Sequence, residues 1–375
     1  MAVLRGPFPT GGTVGQDDLV DREAVVAELF GRTFDRLNSV VLSAPRQTGK
    51  TSVGEELLRK VRRAGGWGIY VDCSAATDER ELAELIARST YDQASGSRGA
   101  FTRLKDLVAG APKPVLFQND LNLSLAFFGD HKDSPSRLLE HAFGLADELA
   151  TQKDRRCVVV YDEFQRLAAL SPSIFDRTRA ALQHRMTHTA YVFMGSEVGL
   201  LDALFRRGTS MPFRLATPMT LPFPSPEAWR EYISARFLDL EIAVGADEID
   251  RLIAFTGGHP RDLMEACEHL LTIRSVNPIA GGALELAEAR TLAGLSAQFE
   301  EIWKQLERPK GTRMTAARIA AGQPVYGDGR PATQTVRTIE RLGQLGLIRK
   351  RGRGAYEFSE PLFGVFVRNL TQAEA

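Results

Sequence analysis

Two groups of residues in this chain are of the types that handle phosphate, metal and water. The first is Ala44-Pro45-Arg46-Gln47-Thr48-Gly49-Lys50-Thr51-Ser52. A loop of this make-up, leading into a helix, turns backbone N–H groups and the positive end of the helix dipole toward an anion. Lys50 adds a point charge for the β- and γ-phosphates of a nucleotide, and the Thr51 hydroxyl is a ligand for Mg²⁺. The second group is the adjacent carboxylates Asp162 and Glu163. Asp162 suits Mg²⁺, held directly or through water. Glu163 suits a general base that orients and deprotonates the water attacking the γ-phosphorus, a role worth ~10²–10⁴ in rate.

These groups need elements that bring them together. Ser39-Val40-Val41-Leu42-Ser43 is a short β-branched run before the loop, and Val53, Leu57, Leu58 and Val61 have helical spacing after it. Strand, loop and helix in that order are the context in which the Gly-Lys-Thr motif carries meaning. Cys157-Val158-Val159-Val160-Tyr161 is a continuous apolar run, the pattern of a strand buried on both faces. It delivers the two acids to its C-terminal end, the edge at which open α/β sheets bind ligands. Residues 68–73 and 190–197, the latter ending in small and polar residues, read as further strands, and 75–88 and 134–151 as helices between them. Residues 114–128 read as a β-hairpin insertion around Asn119-Asp120. The expectation is a parallel sheet flanked by helices, occupying 1–220.

Other residues join the site less directly. Leu19-Val20-Asp21-Arg22-Glu23 is either a capped surface helix start, with Asp21 as N-cap, or a segment closing over a base with Arg22 reaching the nucleotide. Ser196, at the end of the last strand, is a candidate sensor of the γ-phosphate. Arg206, Arg207 and Arg214 are candidate cations for it, in cis or across an interface, with Arg214 preferred because it precedes the crossing into the next domain. His184 and His188 are four apart but lack a third ligand, and read as surface or packing residues.

Beyond 221 the apolar spacing is helical. Ser225 followed by Pro226 opens a helix, and Gly257-Gly258-His259-Pro260 makes a sharp turn between two others. This predicts a small helical lid over 221–292, with Pro260 packing on the base. From 293 to 375 the pattern predicts three helices and a hairpin around Arg351-Gly352-Arg353-Gly354, a winged helix-turn-helix. Thr335, Arg337 and Arg341 would then offer a face to the major groove, and Arg349, Lys350, Arg351 and Arg353 would meet phosphates of double-stranded DNA. Such a module serves equally for protein contact or autoinhibition.

Composition sets the outer limits. The chain has 375 residues, 43% of them hydrophobic, enough for two or three domains. Lys plus Arg and Asp plus Glu both number 47, so the whole-chain charge is zero and offers no general attraction to a polyanion. Three scattered cysteines argue against a disulfide framework. No apolar run approaches the ~18 residues of a membrane helix, and the N-terminus lacks a leader pattern. The expectation is a cytoplasmic protein with no membrane partner.

Taken in order, Leu-Val-Asp-Arg-Glu (19–23), the loop (44–51), Val-Val-Val-Tyr-Asp-Glu-Phe (158–164), Met-Gly-Ser-Glu (194–197) and Gly-Gly-His-Pro (257–260) resemble the archaeal-type P-loop ATPases of the AAA+/STAND class. Residues 342–363 are similar to their winged helix. The resemblance implies an ASCE-type P-loop core, a helical lid, and a winged helix that moves with nucleotide state. It places Arg22, Ser196 and Pro260 at the nucleotide, with ATP or ADP and Mg²⁺ as ligands. It also implies a slow or partner-stimulated ATPase, a phosphoric anhydride hydrolase, that has a protein client or acts as a homo-oligomer. Two alternatives remain open. One is a DNA-binding initiator or regulator similar to archaeal origin-recognition ATPases, and the other a scaffold stabilised by nucleotide without turnover. Two positions depart from the family pattern: Asp21 precedes Arg-Glu where a small residue is usual, and Ala44 replaces Gly. Binding weakens if position 44 needs a positive φ, which Ala adopts poorly.

Overall fold

Valine-rich apolar runs make the inner strands of a central sheet, buried on both faces. The computed structural model describes residues 6–96, 135–171, 173–183, 186–195, 216–277, 281–327, 329–352 and 354–373. The predicted hairpin at 114–128 therefore lies outside the described residues, as do His184, Ser196, Arg206, Arg207, Arg214 and Arg353. Strands β1 (Ser39–Ser43), β2 (Trp67–Asp72), β3 (Cys157–Asp162), β4 (Thr189–Gly195) and β5 (Ala216–Thr220) pair in the order β2-β3-β4-β1-β5. All four pairings are parallel. This is a P-loop NTPase α/β fold, in which β4 stands between the phosphate-loop strand and the acid strand.

Alternation along each strand sorts the core into two layers. Val41, Ile69, Val71, Val159, Tyr161 and Phe193 face one side, against helices α3 (Glu79–Ser95), α4 (Pro135–Gln152) and α5 (Ile174–Leu182). Val40, Leu42, Val158, Val160, Val192 and Met194 face the other, against α1 (Glu23–Phe30) and α2 (Lys50–Arg63). Gly54 explains how closely α2 lies on the sheet. A Cβ at that position would stand 2.8 Å from Met194 Cε and 3.3 Å from Val160 Cγ1. That close approach seats the start of α2 above the strand ends.

A second hydrophobic cluster forms on α6 (Pro226–Asp239), α7 (Ala246–Thr256) and α8 (Pro260–Val276). The Ser225 hydroxyl accepts from the Ala228 N–H at 3.3 Å and Pro226 sits in the first turn, as the Ser-Pro pair predicts. Phe8, far away in sequence, completes this cluster, its ring 4.9 Å from that of Phe237. Asp21 departs from expectation. Arg22 occupies the N-cap position of α1, while Asp21 takes a φ of 55° and its Oδ2 accepts the Ser225 N–H at 2.8 Å. Its carboxylate holds the residue that caps α6.

The expected boundary at 292/293 carries no linker. Helix α9 (Ala283–Gln305) runs through it unbroken. Its first half gives Ala283, Leu284 and Ala287 to the second cluster, and its later turns give Leu295 and Phe299 to a third. The division is between cores and not between elements, and the helix passes through Gly294 there without a break. The third cluster also holds α10 (Thr312–Ala320), α11 (Ala332–Gln344), the antiparallel pair β6 (Ile348–Gly352) and β7 (Ala355–Phe358), and α12 (Pro361–Ala373).

Phe8 is only 2% exposed. Phe8→Ala is expected to cost about 3 kcal/mol of stability in the unit built on α6–α8. Denaturant unfolding followed by Trp229 fluorescence checks this, since that indole lies in the same cluster.

Candidate nucleotide-binding site

The loop between β1 and α2 owes its shape to two left-handed residues, Gly49 at φ 88° and Gln47 at φ 57°. Ala44 is not among the positive-φ residues, so its methyl costs no strain there. That side chain is fully buried beside Leu42 and Val53. The expected penalty at position 44 does not arise, because the sharp turn falls three to five residues later. Gly49 caps α2 without a side-chain hydrogen bond, leaving the first-turn amides to be satisfied by an anion or water.

Lys50 is 5% exposed and folds back over the loop. Its Nζ donates to the Pro45 carbonyl at 2.8 Å and the Ala44 carbonyl at 3.3 Å. Burial pulls its pKa down to about 8, against the opposing pull of Glu163 and Asp162. Thr48 is buried and its hydroxyl donates to the Pro45 carbonyl at 2.9 Å, tying the turn to its own start. Arg46 and Gln47 are exposed at the loop tip, and Ser52 Oγ accepts the Val14 N–H at 3.0 Å.

The two acids meet this loop. Thr51 Oγ1 donates to Asp162 Oδ2 at 2.6 Å, and the Glu163 N–H donates to Asp162 Oδ1 at 2.9 Å. Asp162 is 2% exposed, at the end of a strand buried along its whole length. A hydroxyl and a carboxylate converging in this way are the hard oxygen donors that Mg²⁺ takes, so the residues fit that ion. Glu163 lines the cavity at a left-handed φ of 50°, a conformation costing a non-glycine residue of order 1 kcal/mol. Gln165 Nε2 donates to Glu163 Oε2 at 2.7 Å and holds that carboxylate in place.

Around them lies a cavity of about 680 Å³. Arg22 and Pro260 both line it. Arg22 is 4% exposed, with Nη1 donating to the Pro222 carbonyl at 2.7 Å and Nη2 to the Thr48 carbonyl at 3.2 Å. Burial brings its pKa down to about 10. Sequence reasoning misses the remaining wall. Pro9 through Val14 form one side, and Trp229 and Met264 form part of the apolar end near Pro260. The signal at 9–14 was only a Gly/Pro composition that reads as any loop. What holds the segment in place, Phe8 in the second cluster, is a contact between residues far apart in the chain.

The turn at 257–260 reaches the loop directly. His259 is 2% exposed, and its Nε2–H donates to the Arg46 carbonyl at 3.0 Å. Its Nδ1 stands 3.2 Å from Asp262 Oδ2. Burial pulls the imidazole pKa down, but Asp262, the Arg46 carbonyl and Glu360 together raise it above the ordinary value. Arg261 Nη1 donates to Gln47 Oε1 at 2.7 Å. Glu360, at the start of α12, is held above the usual carboxylate range by burial, against the pull of His259, Arg46 and Arg261.

The residues named for DNA divide. Thr335 is 1% exposed and faces inward, so it cannot meet a groove. Its position on α11 was read from an assumed outer face, whereas the inward stripe is Thr335, Thr338 and Leu342. Arg337, Lys350 and Arg351 are exposed, and Arg341 is half-buried. Arg349 is engaged already, with Nε 2.6 Å from Glu357 Oε1 and its guanidinium 5.2 Å from the Phe223 ring centre.

Residues 18–192 match the family model described as AAA ATPase domain. No curated protein matches the chain. Among solved structures, the chain is similar to the Walker-type ATPase PABY2304 of Pyrococcus abyssi, with a TM-score of 0.70 and 18% identity over 97% of this chain and 100% of that one. It is also similar to the ORC2 protein of Aeropyrum pernix in its ADPNP–ADP complexes, with a TM-score of 0.59 and 14% identity over 98% of each chain. The ADP form of ORC2 gives a TM-score of 0.55 at 13% identity, covering 98% of this chain and 97% of that one. At these identities the likeness extends to the fold, and it spans the helical and C-terminal units as well as the sheet.

The lowered pKa of Lys50 has a measurable consequence. Only the ammonium form attracts phosphate, and it is lost as pH rises through about 8 in the free protein. Affinity for a nucleoside triphosphate is expected to fall above that pH, by up to tenfold per unit, with proton uptake on binding. Calorimetric titrations between pH 7 and 9.5 in buffers of different ionisation enthalpy check this. A Lys50→Arg variant that still binds should show no such fall.

Proposed function

We propose that this chain is an ATP-binding and ATP-hydrolysing switch of the AAA+/STAND type, in which occupancy of the 44–51 loop sets the position of a C-terminal winged helix. The loop amides and Lys50 hold the phosphates, and Arg22 and Pro260 bound the base and sugar. Thr51 and Asp162 would hold Mg²⁺, which supplies charge neutralisation for the departing phosphate. Glu163, steadied by Gln165, takes a proton from the attacking water. Ser196 as a γ-phosphate sensor and Arg214 as a stabilising cation, from this chain or from a second copy, belong to the same proposal. So does a cytoplasmic setting; none of the described helices is long and apolar enough to cross a membrane.

The observation that carries the switch reading is the seat of His259. It lies between the Arg46 carbonyl of the phosphate loop and Asp262 of α8, with Glu360 of the C-terminal unit close by. Two further contacts join the same parts. A Cβ at Gly257 would stand 2.7 Å from Pro361 Cγ, and Arg349 packs over Phe223 in the segment leading to α6. A loop that changes shape around a triphosphate moves the carbonyl on which His259 rests. The C-terminal unit is then released or re-seated.

Glu163→Gln is expected to bind ATP and to lose turnover by ~10²–10⁴, and Lys50→Ala to lose binding. Fluorophores on the sheet unit and on α12 should report a distance change with ATP in the wild type. His259→Ala should bind ATP without that change. Normal turnover by the Gln variant would remove Glu163 from its role, and an unchanged distance in the wild type would remove the switch. ADP retained through purification with no turnover under any partner condition would instead favour the scaffold.

A second reading, duplex DNA as partner, draws on the exposed Arg337, Lys350 and Arg351. Replacing these three by Ala is expected to weaken DNA binding and reduce the salt slope by up to about 3. Anisotropy titrations across a salt series check it. Binding insensitive to all three would point to protein as the partner.

A further inference from the structure

Asp162 receives one hydrogen bond that the phosphate-loop chemistry does not require. The hydroxyl of Tyr70 donates to Asp162 Oδ2 at 2.9 Å, the oxygen that also accepts from Thr51. Tyr70 belongs to β2, on the far side of β3 from the loop strand. In the β2–β3 register it pairs with Val160, two residues before Asp162. It faces the α2 side of the sheet with Val158 and Val160, while its neighbours Ile69 and Val71 face the other. From there its ring spans the two-residue offset and brings the hydroxyl to the strand end. A phenylalanine would pack equally well at this half-buried position. The hydroxyl is what reaches the acid.

We infer that Tyr70 is a positioning residue for the metal-binding carboxylate, fixing Asp162 so that a divalent cation at Thr51 meets an oriented oxygen. The inference rests on the nucleotide reading proposed above. Its physical basis is that Asp162 sits in a dry strand end, where a carboxylate is stabilised by the donors it accepts from. Three converge on it: the Thr51 hydroxyl and the Tyr70 hydroxyl on Oδ2, and the Glu163 N–H on Oδ1. The Tyr70 hydroxyl, a phenol with an ordinary pKa of ~10, keeps its proton across the working pH range. It is therefore a permanent donor. Removing it leaves Oδ2 held by Thr51 alone, whose oxygen must also turn toward the cation. Partners of metal ligands at this remove typically contribute 10–100-fold to metal affinity or activity.

The test measures binding and not turnover. A fluorescent ATP analogue is titrated onto the full chain in EDTA and across a Mg²⁺ series, for the wild type, Tyr70→Phe, Asp162→Asn and the double variant. Tyr70→Phe is expected to bind as the wild type does in EDTA but to need about tenfold more Mg²⁺ for half-maximal enhancement. In the Asp162→Asn background the same change should add nothing, since the hydroxyl then has no carboxylate to orient. An unaltered thermal unfolding midpoint for Tyr70→Phe confirms that the ring still packs. An equal or lower Mg²⁺ requirement in Tyr70→Phe, with Mg²⁺-dependent binding intact in the wild type, would overturn the inference alone. Failure of the wild type to bind nucleotide in either condition would overturn the nucleotide reading and this inference with it.

Discussion

A hydrogen bond of 2.6 Å joins Thr51, at the start of α2, to Asp162, at the end of β3. β1, which leads into the loop, and β3, which ends in the acids, are kept one strand apart by β4. The Thr51–Asp162 pair therefore depends on how α2 crosses the gap. Gly54 sets that crossing by letting the helix descend onto Val160 and Met194. The start of α2, with Lys50 and Thr51, then lies over the strand ends. The rest of the molecule can be understood as what keeps that geometry dry on one side and open on the other.

Dryness comes from the sheet. Asp162 and Lys50 are both nearly inaccessible, and their mutual attraction works against the desolvation that lowers the lysine pKa. Openness comes from segments that belong to no strand. Residues 9–14, the turn at 257–260 and Arg22 form the remaining walls, and each is fastened to something distant. Phe8 anchors the first, the Arg46 carbonyl receives His259 of the second, and Arg22 donates to the carbonyls of Pro222 and Thr48. A cavity walled by three separately fastened segments can change shape without unfolding the sheet beneath it.

The chain displays much of this openly. The strands near the loop are short β-branched runs and the acids follow the most apolar of them, so β1, β3 and their site residues were legible from periodicity and residue type. The Ser225-Pro226 cap was legible for the same reason: its chemistry is local. Asp21 was not, because its carboxylate accepts from the N–H of Ser225, 204 positions away. Thr335 was not, because a threonine on an amphipathic helix faces inward or outward according to its partner. Here Thr338, on the same inward stripe, bonds Thr315 at 2.8 Å. The expected break near 292 was lost in α9, where helical spacing continues while the core it serves changes. Tyr70 reads as one more strand aromatic until its register against β3 is known.

Asp21 and Tyr70 share a physical cause: each places a polar group on a residue distant in the chain, and hydrogen bonds of that kind leave no periodic trace. Apolar burial does leave one, since a face must be apolar at regular intervals to be buried at all. Sequence pattern therefore reports the layers of this molecule well and its fastenings poorly. The contacts around the site are such fastenings: His259 on the loop carbonyl, Arg349 on Glu357 and Phe223, Tyr70 on Asp162. Arg349 makes the point most sharply. By residue type it belongs with the phosphate-seeking cations of the hairpin, yet an acid on the adjacent strand and an aromatic ring in the segment entering α6 hold it. A charge tied in that way ties the C-terminal unit to the segment entering α6 as much as it offers itself to a partner.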